Sequence, residues 1–144
     1  MTPAILDDAL RAGVGRGRRY IPIVGQPGSL AAVTVPGAEE GWYSTVDPGG
    51  GFDNRVAAAN AIGIAVTTAK RAARRISAPL LVCVSSRETL MDPRHAVDVA
   101  RRAPHGEARH YDGDHFDVYH QPLLDALLSD QTAFLRRHLH VSNA

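Results

Sequence analysis

An α/β fold is predicted for these 144 residues from three observations. Leu80 to Val84 is a short, continuous apolar run with β-branched side chains, Ala108 to Tyr111 is a second extended segment, and a helical apolar face follows each of them. In that order they make a strand, helix, strand, helix unit, joined by a right-handed parallel crossover. A region of short helices and loops precedes it, so the chain is expected to divide into 1–75 and 76–144.

Each element has its own reason. Ala4 to Ala12 reads as a short helix stopped by Gly13. Tyr20 to Val24 has the composition of a strand, but Pro22 confines it to an edge or to plain extended chain. Gln26 to Phe52, dense in glycine and proline, is mostly loop with one helical turn near Glu39 to Tyr43. From Asn54 the period changes: Ala58, Ile62, Ala65, Ala69, Ala72 and Ile76 recur at intervals of four and three, which predicts a long helix capped by Asp53 or Asn54. Lys70, Arg71, Arg74 and Arg75 fall at its end, where cations complement the helix dipole, so this basic cluster reads as a solvated helix end.

In the second half, the continuity of Leu80 to Val84 implies cover on both faces, and Cys83 within it is expected to be buried and unreactive. Asp92-Pro93 starts a helix whose face, Ala96, Val97, Ala100 and Ala103, ends before Pro104 and Gly106. Arg109 and His110 place the second strand nearer an edge. A loop with Gly113, Asp114 and His115 leads to a final helix expected to bury Leu124, Leu127, Leu128, Phe134 and Leu135.

Charge and composition narrow the function. Sixteen Lys plus Arg against fifteen Asp plus Glu give a net charge of +1, which lacks the broad basic footprint of a nucleic-acid or polybasic membrane binder. No apolar run approaches the length of a membrane span, and Met1 is not followed by a basic region and an apolar stretch. With Cys83 as the single cysteine, neither a disulfide framework nor a multi-cysteine metal site is expected, and the setting reads as reducing and cytoplasmic.

Chemistry gathers at one end of the predicted sheet. The loop after the first strand carries Ser85, Ser86, Arg87, Glu88 and Asp92, and the loop after the second carries Asp112, Asp114, His115 and Asp117. Parallel strands lie about 4.8 Å apart, so a carboxylate on one loop reaches an imidazole on the next. Such a pair orients the ring and stabilises its protonated form while the other nitrogen handles a nucleophile's proton. The histidines at 105, 110, 115 and 120 match neither helical nor strand period and read as surface and loop residues, so no metal and no cofactor is expected. Gly13-Val-Gly-Arg-Gly17 follows no clear strand and reads as a linker rather than a phosphate loop.

Residues 76 to 139 resemble the C-terminal part of the α/β-hydrolase family. The matching text is Ile76-Ser-Ala-Pro-Leu-Leu-Val-Cys-Val-Ser-Ser-Arg-Glu88-Thr-Leu-Met-Asp-Pro93, Arg102-Ala-Pro-His-Gly-Glu107, Tyr111-Asp-Gly-Asp-His115-Phe-Asp-Val-Tyr119 and Gln131-Thr-Ala-Phe-Leu-Arg-Arg-His-Leu139. The resemblance implies the order strand, acid loop, helix, last strand, histidine loop and closing helix, in a partial α/β-hydrolase fold. It implies that His115 is the general base and that Glu88, where the family usually has Asp, orients it. Asp92 is the competing acid and reads as the helix cap. Residues 19 to 70 resemble the lid and connecting helix of some bacterial members, where Trp42, Tyr43 and Phe52 line a pocket or pack among themselves.

The nucleophile elbow of that family, Gly-x-Ser-x-Gly, is missing. None of Ser29, Ser44, Ser77, Ser85, Ser86, Ser129 or Ser142 has that setting, and the oxyanion donors that accompany it are missing too. The chain therefore reads as a truncated hydrolase. It is expected to be inactive alone, to act on a small ester, thioester or amide if completed by the missing half, and to self-associate through an exposed strand edge. A non-catalytic binding or assembly module is the alternative, with a nucleotide-binding domain third.

Overall fold

The computed structural model describes residues 2–47, 49–60 and 69–139. It separates into two compact units, Met1–Thr67 and Thr68–Ala144. The division falls earlier than the expected 75/76, because the helix after it packs within the second unit. No helix among the described residues is long and apolar enough to cross a membrane.

The first unit opens with α1 (Thr2–Gly13). Gly15, at φ 69°, ends it: the N–H of Arg16 donates to the Arg11 carbonyl at 2.8 Å and that of Gly15 to Ala12 at 3.3 Å. This bond pair is a left-handed helix stop, a conformation open to glycine without steric cost. The glycine-rich stretch is thus the end of a helix. Strands β1 (Tyr20–Ile21) and β2 (Val56–Ala57) pair antiparallel, and α2 (Ala38–Ser44) lies between them in sequence. Ala4, Ile21 and Ala58 form the apolar core, with Val56 packed against it.

Two polar side chains tie this glycine-rich region together. Asp8 is wholly buried (0% exposed). Its carboxylate accepts both Nε and Nη2 of Arg18, at 3.0 and 2.8 Å, and the backbone N–H groups of Arg19 and Ala59, at 2.7 and 2.8 Å. The Arg18 guanidinium, against the opposing effect of burial, holds the Asp8 carboxyl far below its ordinary value. Asn54 accepts from the N–H of Ile23 and Val24 at 2.9 and 3.1 Å and donates to the Val24 carbonyl at 3.0 Å, so its amide stands in for a neighbouring strand.

The start of the long helix expected from Asn54 is corrected by these contacts. Asn54 is occupied with Ile23 and Val24 and caps nothing, Val56–Ala57 is strand, and Ala58–Ala59 is a turn. Positions 61–68 of the expected helix, including Ile62 and Ala65, lie outside the described residues. Its far end is α3 (Ala69–Ala73), where the buried residue is Ala73 rather than Ala69 or Ala72. Alanines flank nearly every turn here, so their spacing alone does not fix which face is buried.

The second unit continues as β3 (Leu80–Ser85), α4 (Arg94–Arg102), β4 (Gly106–Tyr111), a single 3₁₀ turn (Asp117–Tyr119) and α5 (Leu123–Leu139). β3 and β4 are parallel, in register from Leu80 opposite Gly106 to Ser85 opposite Tyr111. Helix α4 crosses between them and approaches β4 so closely that a Cβ on Gly106 would stand 2.1 Å from the Ala100 carbonyl oxygen. Only glycine fits there.

Among the described residues this sheet has two strands. The N–H of Leu80 donates to His105 at 2.9 Å and that of Ser86 to Tyr111 at 2.8 Å. By the alternation of a parallel pair, Leu81, Cys83 and Ser85 turn their backbone groups to the other edge. Only Val84 of β3 is fully buried, and Cys83 is half-buried, which corrects the expectation of a strand covered on both faces. Along α5 the stripe Leu124, Leu127, Gln131 and Phe134 is half-buried, whereas Leu128 and Leu135 are 49% and 51% exposed. A two-stranded sheet is too narrow to cover the whole apolar face of a five-turn helix.

Candidate active site

The carboxyl ends of β3 and β4 open side by side, and their following loops are stitched together. Arg87 N–H donates to the Gly113 carbonyl at 3.0 Å, and the Arg87 guanidinium donates to that of Asp112 at 2.9 Å. Asp114 bridges the loops from the other side. Its Oδ1 accepts the backbone N–H of Thr89 at 2.9 Å and that of His115 at 2.7 Å, and the Thr89 hydroxyl donates to it at 2.9 Å. Burial works against ionisation of Asp114, but the N–H of His115 and the hydroxyl and N–H of Thr89 outweigh it and lower its pKa. Gly113 makes room for the turn, since a Cβ there would lie 2.5 Å from Leu123 Cδ1.

This stitching brings Glu88 and His115 together. Glu88 Oε2 lies 2.8 Å from His115 Nδ1, and Oε1 accepts the N–H of Leu90 at 2.8 Å. The side chains are 10% and 29% exposed, respectively, so the pair is sheltered without being sealed. A carboxylate only accepts, so the neutral ring beside it carries its proton on Nδ1 and keeps a lone pair on Nε2. The ring also meets Phe116 edge-on, with centroids 4.9 Å apart. Nε2 has no hydrogen-bond partner among the described residues, and His115 lines a cleft of about 520 Å³ with Cys83, Met91, Tyr119, Leu124 and Leu127.

Asp92 is elsewhere engaged. Its Oδ1 accepts the backbone N–H of Arg94, the first residue of α4, at 3.0 Å, and the Arg94 guanidinium closes on both oxygens. The Arg94 side chain, followed by that backbone bond, lowers the Asp92 pKa to about 2. The structure thus gives the imidazole to Glu88 and the helix start to Asp92.

Other residues named from the sequence fall outside the pair. Trp42 and Tyr43 pack on Phe52 in the first unit, with centroids 6.0 and 6.1 Å apart. Among the described residues no three His, Cys, Asp or Glu side chains gather as a metal site. Sequence reasoning placed Asp114 in the loop after the second strand and did not see its link to Thr89; the signal was a hydroxyl beside Glu88 and a carboxylate beside His115. It also missed Tyr111, whose buried hydroxyl donates to Asp130 at 2.9 Å and whose pKa is pushed up by burial and then by that carboxylate.

No protein-family model matches the chain. Over 132 residues, 92% of the chain, it is 27% identical to the quorum-quenching protein AidA of Acinetobacter baumannii (strain MDR-ZJ06), of which the match takes in 43%. Its fold is similar to that of the α/β hydrolase GrgF from Penicillium sp. sh18, with a TM-score of 0.73 and 17% identity over 94% of this chain and 47% of that one. It is also similar to DcsB, solved in complex with a substrate analogue, with a TM-score of 0.69 and 15% identity over 95% and 49%. The chain spans about half the length of these relatives. The chain has, in part, the α/β-hydrolase fold.

Proposed function

We propose that the chain supplies the acid and the histidine of a hydrolytic site for a small ester, thioester or amide. The observation that carries this is the Glu88–His115 pair at 2.8 Å, with Nε2 unpartnered beside an apolar cleft. Glu88 holds the ring and stabilises its cationic form, while Nε2 takes the proton of an attacking hydroxyl and returns it to the leaving group. That hydroxyl and its oxyanion donors come from sequence beyond these residues, in the same polypeptide or a second chain. The half-length match to the relatives supports this reading. Quorum quenching, the role named for the Acinetobacter relative, is a setting in which we propose to test it.

The test is to join or mix the chain with an N-terminal α/β-hydrolase half carrying a Gly-x-Ser-x-Gly elbow and to follow hydrolysis of an activated ester. In an active assembly, Glu88→Ala lowers kcat on the order of 10³- to 10⁴-fold, the scale of losing an orienting carboxylate, and Asp92→Ala leaves it nearly unchanged. The opposite ranking would move the acid to Asp92. The open edge of β3 favours a second reading, an assembly module without catalysis, for which both substitutions are silent.

A further inference from the structure

Away from the cleft, the second unit holds a strongly charged concavity. Lys70, Arg71, Arg74, Arg75 and Arg102 line a groove of about 590 Å³ between α3 and the C-terminal end of α4. Five of the chain's sixteen Lys and Arg residues gather there although the net charge is only +1, so acidic groups outnumber basic ones elsewhere. One neighbouring carboxylate, Asp98, answers part of this charge. It meets Lys70 Nζ at 3.3 Å, Arg102 Nη2 at 3.1 Å and Arg101 Nη2 at 2.6 Å. Among the described residues the side chains of Arg71, Arg74 and Arg75 make no hydrogen bond or ion pair, and all three residues are exposed.

Pairing with Asp98 accounts for Lys70 and Arg102, but not for three further guanidinium groups crowded beside them. Like charges at spacings of three and four repel. We propose that this groove binds a small ligand carrying several adjacent phosphate groups. Guanidinium forks match phosphate oxygens bidentately, and a phosphate chain concentrates enough charge to meet three unpaired arginines at once. The volume suits a small molecule, and the low net charge provides no extended track for a nucleic-acid strand. Free polyphosphate and the phosphate tail of a nucleotide share this chemistry.

Calorimetric titration of the whole chain at low ionic strength tests it, with sodium tripolyphosphate, a nucleoside triphosphate and citrate as probes. Saturable binding of one tripolyphosphate per chain is expected, weakening as salt rises, with citrate weaker. The Arg71→Glu, Arg75→Glu double variant is expected to weaken it by about tenfold or more, and the milder Arg71→Gln, Arg75→Gln pair by less. Arg16→Glu, a charge reversal in the first unit, serves as the control for net charge and leaves binding unchanged. A nucleoside triphosphate that binds more tightly than tripolyphosphate identifies a nucleotide as the source, and equal binding identifies free polyphosphate; both support the groove. No saturable binding at millimolar tripolyphosphate, or equal weakening by Arg16→Glu, overturns the proposal.

Discussion

At the scale of single residues, Asp114 reaches both loops of the candidate site, and its effect should be visible at an atom it does not touch. It holds the backbone N–H groups of Thr89 and His115, the neighbours of Glu88 in one loop and of itself in the other. A slowly exchanging, low-field proton resonance from His115 Nδ1–H is expected in the wild-type chain, lost in Glu88→Ala and broadened in Asp114→Ala, where the loops part. A retained resonance in Asp114→Ala would reduce that residue to loop structure.

Cys83 gives a second prediction at this scale. Because it is half-buried and borders the cleft, a thiol reagent should label it under native conditions, more slowly than an unfolded control but to completion. Full protection would restore the doubly covered strand that the sequence implied. The acidic hubs set a pH dependence. Asp8 and Asp98 both titrate below the ordinary 3.8, Asp98 at about 2, so the stability they contribute is complete above that ordinary value. It is lost as pH falls through the depressed values. Asp8→Asn should flatten acid unfolding of the first unit below about pH 4, measured by circular dichroism.

Among the elements, the β3, α4, β4 unit was legible because local signals agree: an apolar β run, an Asp-Pro start, and Pro104 and Gly106 as a stop. Glu88 and His115 were legible through topology, since parallel strands place successive loops at one end of a sheet. The start of the helix expected from Asn54 was not legible. Its helical period rests on alanines, which fit either face, and Asn54 is captured by Ile23 and Val24, some thirty residues away. Asp8 was equally silent, because its partners Arg18, Arg19 and Ala59 reach it through the fold rather than along α1. Helix α4 approaches Gly106 too closely for a Cβ. Gly106→Ala must displace a backbone carbonyl, so a loss of roughly 3 kcal/mol, the upper end for overpacking, is expected from denaturant unfolding.

For the whole molecule, the open edge of β3 and the exposed Leu128 and Leu135 point the same way. Unpaired backbone groups beside an apolar helix face invite pairing with another chain. Light scattering should therefore show a mass that grows with concentration, and a mixture with an N-terminal hydrolase half should suppress that growth. The Glu88–His115 pair is open in a parallel way: His115 borders the cleft, and no hydroxyl among the described residues is bonded to its Nε2.

The most direct test is hydrolysis of an activated ester by the 144-residue chain alone, wild type beside His115→Ala, over a range of substrate concentrations. A small, unsaturable rate is predicted, differing little between the two, because no hydroxyl among the described residues meets the His115 imidazole, and an imidazole without one forms no acyl-enzyme. Saturable turnover that disappears in His115→Ala would show a nucleophile within this chain and would contradict the account.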